Sequence, residues 1–406
     1  MHQPLPPPSI ETRQSWIVAG VALCIMAFSF GAPWITAVAL KSIAAEVGGA
    51  RAAPALAGSL AWLGSAFGGI AMGYVASRIG VRWTVMFGAA MIACGLALSS
   101  FGPGWPLYVG HGLFIGLLGL SGINAPLYVY VSHWFDRRRG SALALISSGL
   151  YVAGAIWPPI FERAINAYGW RDSMMIYGLV EVLAIVPLAV IFLARKTAGS
   201  TVPDRVGVAP TDVLGWPPNL VFGALMAAIF MCCVPMAMPQ QHLVAFCGDL
   251  NINASRGALM LSVLLGTAFL SRQIWGLIAD RIGGLRTVFI GSVAQLVTMS
   301  AFLMVQDEYG LFSVSAAFGL GFSGLIPATV LAGRELFPAH EASWRIPMLL
   351  LCSGTGMATG GWLAGYMYDH FGYYAPAFIT GIAINALHVM VIGTLVRRQR
   401  LNAFAT

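Results

Sequence analysis

GYVASRIGVRWTV, residues 73–85, returns as GLIADRIGGLRTV at residues 276–288. Both copies read Gly-x-x-x-[Ser/Asp]-Arg-x-Gly, and they stand 203 residues apart in a chain of 406. Other landmarks keep nearly the same step. Pro33 answers Pro235 at 202 residues and Pro126 answers Pro327 at 201. Gly169 and Gly178 answer Gly372 and Gly381 at 203 each. One fixed period running the length of a chain marks internal duplication. The chain is therefore read as two copies of one unit.

What fills each unit is apolar. Hydrophobic residues make up 58% of the chain and Asp, Glu, Lys and Arg only 9%, against about a quarter charged in soluble domains. A helix needs roughly 20 apolar residues to cross a bilayer. Twelve such stretches are expected, at 16–40, 54–77, 83–101, 106–133, 140–164, 171–194, 218–246, 255–279, 285–304, 310–335, 346–368 and 375–396. The expected fold is an all-α membrane protein with twelve transmembrane helices in two pseudo-symmetric six-helix bundles. The bundles span 16–194 and 218–396, joined by a polar linker at 195–217. Tails at 1–15 and 397–406 complete the chain.

The net charge of +7 does not form a face, which argues against a nucleic-acid partner. Sixteen of the 22 Lys and Arg residues fall on the side of the termini and the linker. Five, Lys41, Arg51, Arg163, Arg171 and Arg256, fall opposite. That asymmetry places both termini in the cytoplasm, in an inner membrane. The Pro-rich start has no cleavable-signal pattern. The six cysteines lack metal-ligand spacing and are read as packing residues. No Gly-Lys-[Ser/Thr] follows a glycine loop, so nothing supports ATP drive. With no nucleophile, metal cluster or paired carboxylates, neither an enzyme nor a cofactor or metal is expected.

The paired loops resemble the signature between helices 2–3 and 8–9 of the major facilitator superfamily. Gly73, Arg78, Gly80, Gly276, Asp280, Arg281 and Gly283 carry that resemblance and are expected to form the conformational loops. Asp280 is expected to face a helix N-terminus; the first copy departs, with Ser77 in its place. HWFDRRRGSALALISSG from His133, SRQIWGLIADRIGG from Ser271 and GWLAGYMYDHFGYYAPAF from Gly361 are similar to the monocarboxylate transporter and oxalate/formate antiporter group. The resemblance implies movement of small organic anions by alternating access, by proton symport or by exchange. This chain lacks part of the group's charge set. Ala268 stands where animal members carry an Asp, Trp34 where they carry a Lys, and Ser353 where oxalate exchangers carry a second cation. One fixed positive charge implies a monoanion.

That charge is Arg272. It lies eight residues before Asp280, about 12 Å deep at 1.5 Å per residue. A guanidinium suits a carboxylate by its bidentate fork, and a charge at such depth usually marks a substrate path. The plainer alternative is an arginine that snorkels to the interface. Asn124 and Tyr128, four apart on one helix face, are expected to complete a carboxylate site. Leu150, Tyr151, Trp34 and Gln241 are expected to shape the pocket. His242 follows Pro235 and Pro239, which are expected to break their helix beside the cavity, and is the candidate for proton coupling. Glu181 is expected to be a protonated carboxyl bonded to a neighbour. The function expected is secondary transport of a small monocarboxylate, coupled to protons, by a monomer in the bilayer. Efflux of an amphipathic solute with Arg272 structural is the runner-up. A sensor derived from a carrier is the alternative of another class.

Overall fold

The computed structural model describes residues 10–193 and 212–405. Residues 1–9, 194–211 and 406, which hold most of the expected N-terminal tail and linker, lie outside the described residues. The spans are α1 (Arg13–Val38), α2 (Ala52–Ile79), α3 (Val81–Ser99), α4 (Trp105–Ser132), α5 (139–168) and α6 (170–192). The second half holds α7 (Pro218–Asp249), α8 (Ala254–Ile282), α9 (Gly284–Met304), α10 (Glu308–Leu336), α11 (Ala339–Phe371) and α12 (Ala375–Ala405).

By length and hydropathy alone, nine stretches among the described residues pass as membrane spans, or ten with the bent pair in α2. One of the nine, Gly140–Phe192, is 53 residues long, far more than one bilayer crossing needs. It folds back at Gly169 and so counts twice. The twelfth is α11, whose charged residues Glu341, Arg345 and Asp369 sit toward its ends and leave the centre apolar.

The repeat has a backbone cause. Gly80 and its mate Gly283 have φ of 93° and 83°, and Gly169 and Gly372 have φ of 81° and 84°. Side-chain-bearing residues avoid that region, so both copies keep glycine where the chain reverses between helices. Close packing explains others. A Cβ on Gly64 would run into the Gly112 carbonyl, and one on Gly116 into the Ala61 backbone, which is how α2 and α4 approach so closely. Residues 110–120 of α4 are wound as a π-helix.

Six spans return each half's ends to the same face. Near that terminal face the Glu11 carboxylate accepts from the backbone amides of Arg137 (2.7 Å) and Arg138 (2.5 Å). Arg398, in turn, lies 3.8 Å over the Trp216 ring. The halves meet along α2 with α11 and α5 with α8, through small residues such as Gly354 against Ala66 and Gly266 against Ala155.

Three expectations change. α7 runs unbroken through Pro235 and Pro239; each proline removes one backbone donor, and the surrounding bonds hold the helix. The break comes in α1, at Phe30 ahead of Pro33. There the Ala27 carbonyl accepts from Trp157 Nε1 (2.9 Å) and the Phe28 carbonyl from the Tyr177 hydroxyl. α12 continues past 396 to Ala405, because hydropathy marks the bilayer while backbone bonding carries the helix beyond it. Third, Asp280 is exposed, and the amide at the start of α9 does not go to it. The Glu335 carboxylate, at the end of α10, accepts from the Gly284 amide instead (2.9 Å), placing negative charge at the start of α9.

Candidate functional site

A cavity of about 460 Å³ lies between the halves. α2 lends it Trp62, Ser65, Ala66 and Gly69, residues on one helical face. Asn124 and Tyr128 enter from α4, Ser147, Leu150 and Tyr151 from α5, and Arg272 from α8. Phe30 comes from the break in α1, Met236 and Gln240 from α7, and Ser353 and Met357 from α11. Five of the expected residues, Arg272, Asn124, Tyr128, Leu150 and Tyr151, are thus brought together.

The electrostatics of this cavity are simple. Arg272 is the one Asp, Glu, Lys or Arg among the residues that line it. Among the described residues no carboxylate forms an ion pair with it. Its guanidinium lies 5.2 Å from the centre of the Tyr151 ring, within cation–π range. Next to it, Gln273 donates from Nε2 to the Ser148 hydroxyl across the halves (3.3 Å). Most of the remaining wall is apolar, with hydroxyls and amides at Asn124, Tyr128, Ser147, Tyr151, Gln240, Ser65 and Ser353.

Two expected residues sit elsewhere. Trp34 and Gln241 line a separate small pocket with Thr36 and Gly58, where α1, α2 and α7 meet toward the far face. Gln240 takes the cavity position that Gln241 was expected to hold, and Phe30 that of Trp34. At 100° per residue, the face of α7 that carries Met236 and Gln240 cannot also carry His242.

His242 is buried behind that wall. Its Nε2 meets the Gly361 carbonyl (2.8 Å) and its Nδ1 the Tyr374 hydroxyl (2.9 Å). A carbonyl only accepts, so Nε2 must donate; in the neutral ring Nδ1 then accepts from Tyr374. Beyond Tyr374 lies the far-face closure. Arg51 donates twice to Asp249, each bond 2.6 Å long, and Lys41 adds a 3.2 Å contact to the same carboxylate. The Arg51 guanidinium also stacks 3.5 Å from the Tyr368 ring centre and 5.1 Å from that of Tyr374. Asp369 accepts from the amides of Arg51 (2.6 Å) and Ala52 (2.8 Å), capping α2 from the other half. Burial works against the Arg51 charge, and the bonds to Asp249 together with the neighbouring Tyr374 more than offset it, holding the group above its ordinary range. Sequence reasoning missed this cluster because its members lie 198 and 318 residues apart.

Glu181 is fully buried in α6, and neither of its oxygens has a hydrogen-bond partner among the described residues. The neighbour bond expected for it is absent. The signature residues Arg78 and Arg281 are exposed, and Arg78 donates to the Tyr74 hydroxyl (2.8 Å).

Two six-helix halves around one largely apolar central cavity that holds a single charge, sealed by ion pairs on the far face, define a membrane transporter and not an enzyme. The model of the Major Facilitator Superfamily matches residues 21–247, and the chain belongs to that superfamily. It is 24% identical over 310 residues to monocarboxylate transporter 13 of Bos taurus, covering 75% of this chain and 71% of that one. It is 22% identical over 370 residues to the sialic acid transporter NanX of Escherichia coli K12, covering 87% of each. Among solved structures it resembles a bacterial homologue of the human lysosomal transporter Spinster, in an inward-facing and occupied conformation. The TM-score is 0.74 at 14% identity, over 96% of this chain and 98% of that one.

Proposed function

We propose that the protein is a secondary transporter of a small organic monoanion, a monocarboxylate, working by alternating access and coupled to protons. One observation carries the reading. Among the described residues the central cavity holds a single charged group, Arg272, and no carboxylate pairs with it. An unpaired cation in a partly dry cavity is costly unless an anion visits it. The name of the bovine relative supports a carboxylate as that anion. In this reading the bodies 16–194 and 218–396 rock about the cavity. Both termini lie in the cytoplasm, as the sixteen-to-five distribution of Lys and Arg supports. Protons act at His242 through the far-face closure rather than at the substrate. A protonated ring would present two donors, and Tyr374 would have to turn its own hydrogen away.

Uptake of radiolabelled monocarboxylate into proteoliposomes tests it. Arg272→Ala should lose roughly a hundredfold or more in transport, the scale of removing one partner from a desolvated charge pair. Arg272→Lys should fail nearly as badly, because an ammonium cannot make two parallel bonds. The apolar wall favours one other reading, carriage of an uncharged amphipathic solute; wild-type uptake by both mutants would decide for it.

A further inference from the structure

The cavity does not end at Arg272. Counted from the terminal face, Arg272 is ten residues before the end of α8, whereas Trp62 is seventeen before the end of α2. Phe30 is seventeen residues into α1, and Met236 and Met357 are eighteen into α7 and α11. At 1.5 Å per residue the backbone of that group lies roughly 10 Å deeper than the backbone of Arg272. It is built of two aromatic rings and two thioethers. The rings of Phe30 and Trp62 stand 6.1 Å apart at 30°. Methionine sulfur and aromatic faces favour a third ring over an aliphatic chain or a hydroxylated one.

We propose that the transported anion is an arylalkyl monocarboxylate, its carboxylate on Arg272 and its ring between Trp62, Phe30, Met236 and Met357. The inference rests on the carboxylate reading of Arg272 and adds the body of the substrate. A two- or three-carbon acid would reach the guanidinium and leave the deep chamber unfilled. Cavities of ~300–1,000 Å³ commonly enclose ligands of drug size, and this one measures about 460 Å³. A sugar acid meets the opposite difficulty. Around the deep chamber the cavity offers the Gln240 amide and the Ser65 and Ser353 hydroxyls in a mostly apolar wall, too few partners for the full set of hydroxyls of a sugar acid stripped of water.

The test is equilibrium binding to the purified full-length protein, with phenylacetate, lactate, gluconate and the uncharged phenylacetamide as probes. Phenylacetate should bind at least roughly tenfold more tightly than lactate or gluconate, the discrimination an apolar pocket gives for a few missing carbons. Arg272→Ala should abolish phenylacetate binding. Trp62→Leu, and independently Met236→Gln, should lower the phenylacetate-to-lactate ratio by roughly tenfold. If lactate or gluconate binds as tightly as phenylacetate and still needs Arg272, the arylalkyl body is wrong while the carboxylate site stands. If phenylacetamide binds as well as phenylacetate and Arg272→Ala changes neither, the carboxylate site itself is wrong. Failure of phenylacetate to bind at all, with lactate bound, also overturns the proposal.

Discussion

The two faces of the interface between the halves are held by different physics. On the far face, Arg51, Lys41, Asp249 and Asp369 cross-link the halves through charge. Toward the terminal face, no ion pair joins the halves among the described residues: Gln273 donates to Ser148 and the Arg272 guanidinium stands over the Tyr151 ring, beside small residues packed on each other. A charge-assisted bidentate pair holds strongly and depends on geometry; packed glycine and alanine let helices slide. A carrier in this state therefore has one face that must be unlocked and one that needs only to part.

The sharpest way to break that contrast is Asp249→Asn. It leaves Arg51, which is 5% exposed, without its charge partner, at a cost of about 3 kcal/mol, the lower end for a buried pair. The far-closed state should lose population roughly a hundredfold. Alkylation of a thiol introduced by Ser65→Cys, with a membrane-impermeant reagent added from each side, reads this directly. Labelling should move to the far side, and unchanged sidedness would mean that the charges do not close the face.

His242→Gln should act next most strongly, at about 1 kcal/mol for one buried bond. An amide can donate to Gly361 but takes up no proton, so the pH dependence of uptake should flatten while the protein still reaches the membrane. Ser148→Ala removes one partner of the neutral bond near the terminal face, for about 0.5–1 kcal/mol. Sidedness of labelling should stay put, and a shift as large as that of Asp249→Asn would erase the difference between the faces.

The smallest effect is expected of Glu46→Gln. Glu46 pairs with Arg171 within one half (2.6 Å) and is partly exposed. The Arg171 hydrogen bonds, against a smaller cost of burial, hold its carboxyl below the ordinary range. Its stabilisation is therefore present above the free carboxyl's range and fades as pH falls from there through the lowered value. Screened by water it amounts to about 0.5 kcal/mol or less. Thermal unfolding of wild type and mutant should differ little at neutral pH and converge in acid. A large loss would show that charge inside a half matters as much as charge between halves.

The architecture was legible because it is periodic. Gly80 and Gly283 announce the duplication, and Arg272 announces the cavity, since a charge in an apolar run has few other uses. Asn124 and Tyr128 followed from helical spacing. Trp34, Gln241 and His242 were harder. Each lies on an all-apolar or all-buried stretch, where no polar face says which side meets the cavity, and one residue of error is 100° of rotation. Counting from Gln240 would have turned His242 away. The Arg51–Asp249–Asp369 cluster was out of reach, because each member reads as an ordinary loop charge until the two halves are docked. Glu335 was hidden likewise: Asp280 owns the motif, but a residue 51 positions from Gly284 supplies the carboxylate.

The single-residue reversals at Gly80, Gly169 and Gly283 have a consequence for handling the protein. A protease needs several exposed residues that can be drawn into its cleft, and nicks loop tips first. At these three turns the chain passes from one helix to the next with no such length to offer. The turn at 45–50, mostly exposed and carrying the positive-φ glycines Gly48 and Gly49, is a much better substrate. Limited digestion from the far side should therefore cut there first, releasing α1 from the rest. An epitope meant to report on that side belongs in the same place.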